Sequence, residues 1–219
     1  MADDSPAIVG ILGLVLGLGM MTFLVVTTTS FVKIAVVLFI VRNALGIQQT
    51  PPGIVLYGIA LALTAFIAAP VFTQVSQAVM SAPLDPSQFD DWIAAFERGR
   101  EPVRAFLLRF TSEEQREFFL LASRQVWPEG LAQPFESSDL SVLIPSFMVT
   151  EMQRAFEIGL LLYLPLVVVD LVVTSVLMAM GMSMVTPTVI ATPMKLFLFV
   201  AISGWTHLIE GLVLTYSAA

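Results

Sequence analysis

Long uncharged runs alternate along the chain with short polar breaks and one extended polar block. Ala7 to Val26 carries no charge, which predicts a first spanning helix. Thr27 to Lys33 and Arg42 to Gly46 then bracket an apolar octad, Ile34 to Val41. Pro51 and Pro52 lack amide donors and restrict the residues before them, so the chain is expected to reverse there. Gly53 to Phe72 supplies a second run of spanning length that ends near Pro70. A third, Ile158 to Leu177, is expected to be interrupted by Pro165 and Asp170. After it come Met178, Met180, Met182 and Met184 at alternate positions, then Pro187, Pro193, Lys195 and a last apolar run, Leu196 to Trp205.

Between Thr73 and Leu140 the pattern changes. Arg98, Arg100, Arg104, Arg109, Arg116 and Arg124 fall here with most of the acidic residues, so this block is read as water-exposed. Glu101 to Trp127 is predicted as amphipathic helix, with Val103, Phe106, Leu107 and Phe110 on one stripe. The stretch Thr111 to Glu114 could cap a new helix within it. The charge run reads as a solvated face without chemistry. The expected organisation is an apolar hairpin over 1–72, a polar helical insert over 73–141 and a second apolar hairpin over 142–219.

Composition sharpens this picture. Hydrophobic residues make up 57% of the chain and charged ones 12%, against about 25% charged in soluble domains, and the mean hydropathy is +0.89. These values indicate an integral membrane protein or a membrane-embedded assembly subunit whose apolar surface must face lipid or other subunits, and with the helix-length runs the expected fold is all-α and multi-pass. A net charge of −7 argues against nucleic acid, which demands clustered cations. The chain has no cysteine, which excludes disulfides and thiolate chemistry. The acidic N-terminus, Met1 to Pro6, lacks the basic start of a secretory signal and is expected to be retained. Gly13 and Gly17 show the small-xxx-small spacing that allows close helix approach or is merely tolerated. Lys33 and Arg42, read as lying in a connection between runs, place that connection in the cytoplasm and both termini and the polar block outside.

Charges inside apolar runs are the candidate functional groups, because ionised side chains there pair or line an aqueous path. Glu151, Asp170 and Lys195 are expected to form an intersubunit charge cluster, since Asp170 has no local partner at helical spacing. Arg154 stands at i,i+3 from both Glu151 and Glu157, where the bland reading is local neutralisation. His207, the only histidine, and Glu210 could relay protons, but they read more simply as packed interfacial residues. No metal site is expected, because no second histidine or cysteine completes one. No nucleophile elbow or phosphate loop is present either, so neither enzymatic activity nor a cofactor is expected.

Two long segments, TSFVKIAVVLFIVRNALGIQQTPPG continuing to Phe72 and LIPSFMVTEMQRAFEIGLLLYLPLVVVD continuing to Pro187, resemble the FliP/SctR family of type III secretion export-gate proteins. The likeness continues through Pro193, Lys195, Gly204 and Trp205 and spares only the polar middle. It is closer to an injectisome member than to a flagellar one. The resemblance implies that five copies join small Q-type subunits and one R-type subunit in a helical cone in the bacterial inner membrane. That cone would project to the periplasmic side and form the entry pore for unfolded secreted polypeptides. It further implies other export-apparatus partners, apolar runs that face neighbouring subunits as well as lipid, and a methionine gasket at Met178, Met180, Met182 and Met184. The alternative for these methionines is gap-filling between helices, a common use of a flexible thioether. The rival function is an ion- or proton-coupled transporter with Asp170, Lys195 and His207 as the relay; inverted repeats would favour it, and none is visible.

Overall fold

The computed structural model describes residues 22–47, 49–83, 88–126, 136–182 and 184–217, together with Val15 and Gly19. The Gly13/Gly17 spacing, most of the Ala7–Val26 run, Trp127 and Ser183 lie outside the described residues. Every regular element among those described is a helix. In chain order these are α1 (Thr22–Thr28), α2 (Phe31–Ala44), α3 (Gly53–Met80), α4 (Phe89–Phe110), α5 (Glu113–Val126), α6 (Leu140–Ala179), α7 (Thr188–Ala201) and α8 (Gly204–Leu214).

By length and composition α3 and α6 can each cross a membrane, and the bent pairs α1/α2 (75°) and α7/α8 (62°) pass the same test when each is taken as one span. The chain is therefore an all-α, multi-pass membrane protein of helical hairpins. Ile34 to Val41, expected as part of a connection, belongs instead to helix α2, whose Ile34, Val37, Leu38 and Val41 are buried. Lys33 and Arg42 are consequently helical and not loop cations. The expected interruption of the third run is also absent, for α6 passes unbroken through Pro145, Pro165 and Asp170 over 40 residues. A proline removes one donor, but every neighbouring backbone bond in an apolar medium still favours continuing the helix. Likewise α3 continues through Pro70 to Met80.

Contacts group the chain into two compact units, one of Met1–Phe31 and Gln74–Met148, the other of Val32–Thr73 and Val149–Ala219. In the first, Leu107 of α4 packs against Leu143 and Phe147 of α6, flanked by Val103, Phe106 and Phe110. That is the stripe expected from the periodicity. The amphipathic stretch is two helices, and the cap between them is Ser112, whose hydroxyl accepts from the Gln115 amide at 3.3 Å, a Ser-x-x-Gln start. Thr111 instead turns its hydroxyl back to donate to the Leu107 carbonyl, at 2.6 Å. On the solvated face the hydrogen bond from Arg104 to Glu101, at 2.8 Å, holds the Glu101 carboxyl below its ordinary range.

The second unit holds the candidate site. Its α2 approaches α6 closely at Gly159, where an added β-carbon would stand 2.5 Å from Ile40 Cδ1. A side chain at this position would push Ile40 aside, so glycine serves close contact there and not a special backbone conformation. Phe39 of α2 packs on Tyr57 of α3 with ring centroids 5.0 Å apart. The bend between α7 and α8 turns on Ser203 at φ 53, a left-handed conformation that few non-glycine residues adopt.

Candidate functional site

The methionine turn is built by the end of α6. Gly181 adopts φ +73; its amide donates to the Met178 carbonyl and the Met182 amide to the Leu177 carbonyl, each at 3.0 Å. This pair of bonds is a Schellman stop, which places glycine at the left-handed position because a β-carbon would clash there. Below the turn, Val173 and Leu177 of α6 pack on Ala191 of α7 and close the hairpin. The methionines take no part in that core. Met178, Met180, Met182 and Met184 are 67%, 62%, 45% and 99% exposed. Gap-filling within the chain does not account for them, and exposed apolar clusters of this kind mark contact surfaces.

Beneath the same hairpin Lys195 of α7 joins three elements. Its Nζ lies 2.5 Å from Asp170 Oδ2 of α6 and donates to the Ala44 carbonyl at 3.0 Å. Ala44 ends α2, so the ammonium serves a carbonyl left without an intrahelical donor and meets the negative end of the helix dipole. Lys195 is buried, whereas Asp170 is 40% exposed. Close by, Gly46 at φ +80 stands where a β-carbon would be 2.7 Å from Thr192 Oγ1. The α2–α3 turn and the start of α7 thus adjoin.

A second charge centre lies elsewhere in the unit. Lys33 Nζ of α2 is 3.3 Å from Glu151 Oε2 of α6, with the side chains 1% and 0% exposed. Arg154 Nη1 reaches Glu151 Oε1 at 3.5 Å. Tyr216 donates its hydroxyl to Glu151 Oε2, its ring lies 3.6 Å from Lys33 Nζ, and Lys33 also donates to Thr215 Oγ1 at 3.0 Å. A buried pair of this sort is tolerable only because each charge has several partners. Sequence reasoning missed Thr215 and Tyr216. The one signal was a tyrosine beside an apolar helix end, whose hydroxyl needs a partner when buried.

The three residues grouped as one cluster therefore occupy two places within a single chain: Asp170 with Lys195, and Glu151 with Lys33. Arg42 sits in the last turn of α2, donating to the Pro51 carbonyl at 3.4 Å and stacked over Phe39. His207 Nδ1 is 2.8 Å from the Ile202 carbonyl oxygen at the α7–α8 bend. Among the described residues no hydrogen bond links it to Asp170 or Lys195, and no three His, Asp or Glu gather in a metal-holding group.

Against known proteins, the FliP family model matches residues 14–212. The chain belongs to the FliP/SctR family of type III secretion export-gate proteins. It is 52% identical over 217 residues to the probable translocation protein y4yL of Sinorhizobium fredii, covering 99% of this chain and 98% of that one. It is 43% identical over 191 residues to Yop proteins translocation protein R of Yersinia pestis, covering 87% and 88%. Virulence protein YscR of Salmonella typhimurium is 39% identical over 219 residues, covering 98% of each. Family and fold together make this chain a multi-pass inner-membrane protein of the export apparatus.

Proposed function

We propose that the chain is a pore-forming subunit of an injectisome export gate, conducting unfolded polypeptide across the inner membrane without covalent chemistry. In this reading five copies assemble with Q-type and R-type subunits into a cone that projects to the periplasmic side. The names of the Yersinia and Salmonella relatives, translocation and virulence proteins, support the injectisome branch. The observation that carries the reading is the methionine loop, whose four apolar side chains stand exposed at the tip of a hairpin between spanning-length elements. Methionine suits a gasket because its unbranched thioether has three rotatable bonds, so a ring of them conforms to any passing side chain. An apolar constriction also stops ions by dewetting.

The test follows from the geometry. Since the loop contributes nothing to the core of its own chain, replacing Met182 and Met184 by glycine is expected to leave the complex assembled. The membrane should then leak small ions when that complex is produced, by about tenfold or more over the parent. Dye or ion efflux from cells checks it, with native mass spectrometry as the assembly control. A tight membrane around an assembled variant complex overturns the gasket.

Sidedness is the second expectation. The contact of Gly46 with Thr192 supports a common side for the α2–α3 turn and the methionine hairpin, and Arg42 in the last turn of α2 favours the cytoplasm. The polar block is then outside. A cysteine introduced as Glu114→Cys, at an exposed position of α5, should react with an impermeant thiol reagent in cells whose outer membrane is opened. Labelling only after lysis reverses the orientation.

A further inference from the structure

Four of the chain's eleven methionines stand at alternate positions from Met178 to Met184, and the chain has no cysteine. No thiolate is therefore present to react first with an oxidant. A thioether needs no deprotonation before it reacts, so access decides which sulfurs are oxidised. Met178, Met180, Met182 and Met184 are all exposed, whereas Met148 of α6 is partly buried. The turn also tolerates the change. Its shape is set by the backbone bonds from the Gly181 and Met182 amides, and its hairpin is closed by Val173, Leu177 and Ala191. An oxygen added to these sulfurs alters the surface of the turn and leaves its fold in place.

We propose that Met178, Met180, Met182 and Met184 are an oxidation site, where a peroxide converts thioethers to sulfoxides and thereby opens the constriction to small ions. This rests on the gasket reading of the same side chains. The sulfur lone pair attacks one peroxide oxygen, so that an S–O bond forms as the O–O bond breaks. The displaced hydroxide takes the proton from the sulfur-bound oxygen and leaves as water. Sulfur gives up two electrons and the peroxide takes them. The product side chain is polar and chiral where the thioether was apolar and flexible. Val185, Val189 and Ile190 beside the turn are exposed and apolar, so the four sulfurs are the groups here whose polarity an oxidant changes. A constriction that excludes ions by dewetting loses that property once its lining accepts hydrogen bonds from water. Methionine sulfoxide reductases return each epimer to the thioether, which makes the change a switch.

The complex, co-produced with the other export-gate subunits and placed in phosphatidylcholine–phosphatidylglycerol vesicles, is treated with hydrogen peroxide. Ion efflux and peptide mass mapping are read on the same sample. The four methionines should gain oxygen about tenfold faster than Met148, and efflux should rise about tenfold. Reductases specific for the two epimers should reverse both changes. In a variant carrying Met178→Leu, Met180→Leu, Met182→Leu and Met184→Leu together, efflux should not change between its own values before and after peroxide. Met80→Leu, at an exposed position ending α3, should keep the parental response. Native mass spectrometry before and after treatment should show one unchanged complex. An equal rise in the leucine variant places the oxidation elsewhere and overturns the proposal. So do oxidation no faster than at Met148, and dissociation of the oxidised complex, which would make these methionines a subunit contact. The glycine replacements of Met182 and Met184 separate the two readings. If they leak while the oxidised parent stays tight, only this inference falls; if they stay tight, the gasket reading fails and this inference falls with it.

Discussion

Replacing Glu151 by alanine is expected to destabilise the protein by about 3–5 kcal/mol, the usual cost of stranding one member of a buried ion pair. The substitution leaves Lys33, 1% exposed, with a hydroxyl and a ring face in place of a counter-charge. Lys33→Ala strands Glu151 in the same way, though Arg154 and Tyr216 still reach it, so its cost should be the smaller of the two. Tyr216→Phe removes one hydrogen bond to a buried carboxylate, for about 1–3 kcal/mol. The informative variant is the double replacement of Lys33 and Glu151 by methionine, which fills similar volume without charge and should recover most of the lost stability. With Lys33→Met and Glu151→Met made singly as well, thermal unfolding followed by helical circular dichroism in detergent gives the coupling as a double-mutant cycle. Additive single effects would mean that the pair contributes no interaction of its own.

Lys195→Ala is expected to cost about 2–3 kcal/mol and to abolish export. Two partners are lost at once: the Asp170 carboxylate and the Ala44 carbonyl at the end of α2, the second a polar group with no other donor offered to it by the helix. Asp170→Asn should cost clearly less, because Asp170 is 40% exposed and a carboxylate in contact with solvent is partly screened. The asymmetry is the diagnostic outcome. Unfolding and secretion assays on both variants check it, and equal losses would show that Asp170 is buried in the assembled gate by a neighbouring subunit. That result would favour the intersubunit placement of this charge over a role confined to one chain.

Much of the fold was legible because its rules are local. The reversal expected around Pro51 and Pro52 lies between the end of α2 at Ala44, followed by Gly46 at φ +80, and the start of α3 at Gly53, and Gly181 ends α6 where the methionine run suggested a loop. The stripe of Val103, Phe106, Leu107 and Phe110 faces a core because helical periodicity leaves it no other face. Local rules also misled. Pro165 suggested a break in α6, yet without water to receive freed backbone groups the helix runs on. Lys33 looked like a loop cation because Thr27 to Ser30 precede it; the chain bends there by 75° and resumes as helix.

By itself the sequence determined the membrane class, the start of α3 at Gly53, the end of α6 near the methionine run and the family, since composition, proline and glycine chemistry and long motifs are all readable along one dimension. Only the tertiary structure decided which charge meets which. Lys33 finds Glu151, and Tyr216 closes over both, through helix packing that brings together residues far apart in the chain. Helical spacing reports neighbours three or four residues away, and Asp170 and Lys195, on different helices, lie beyond that reach.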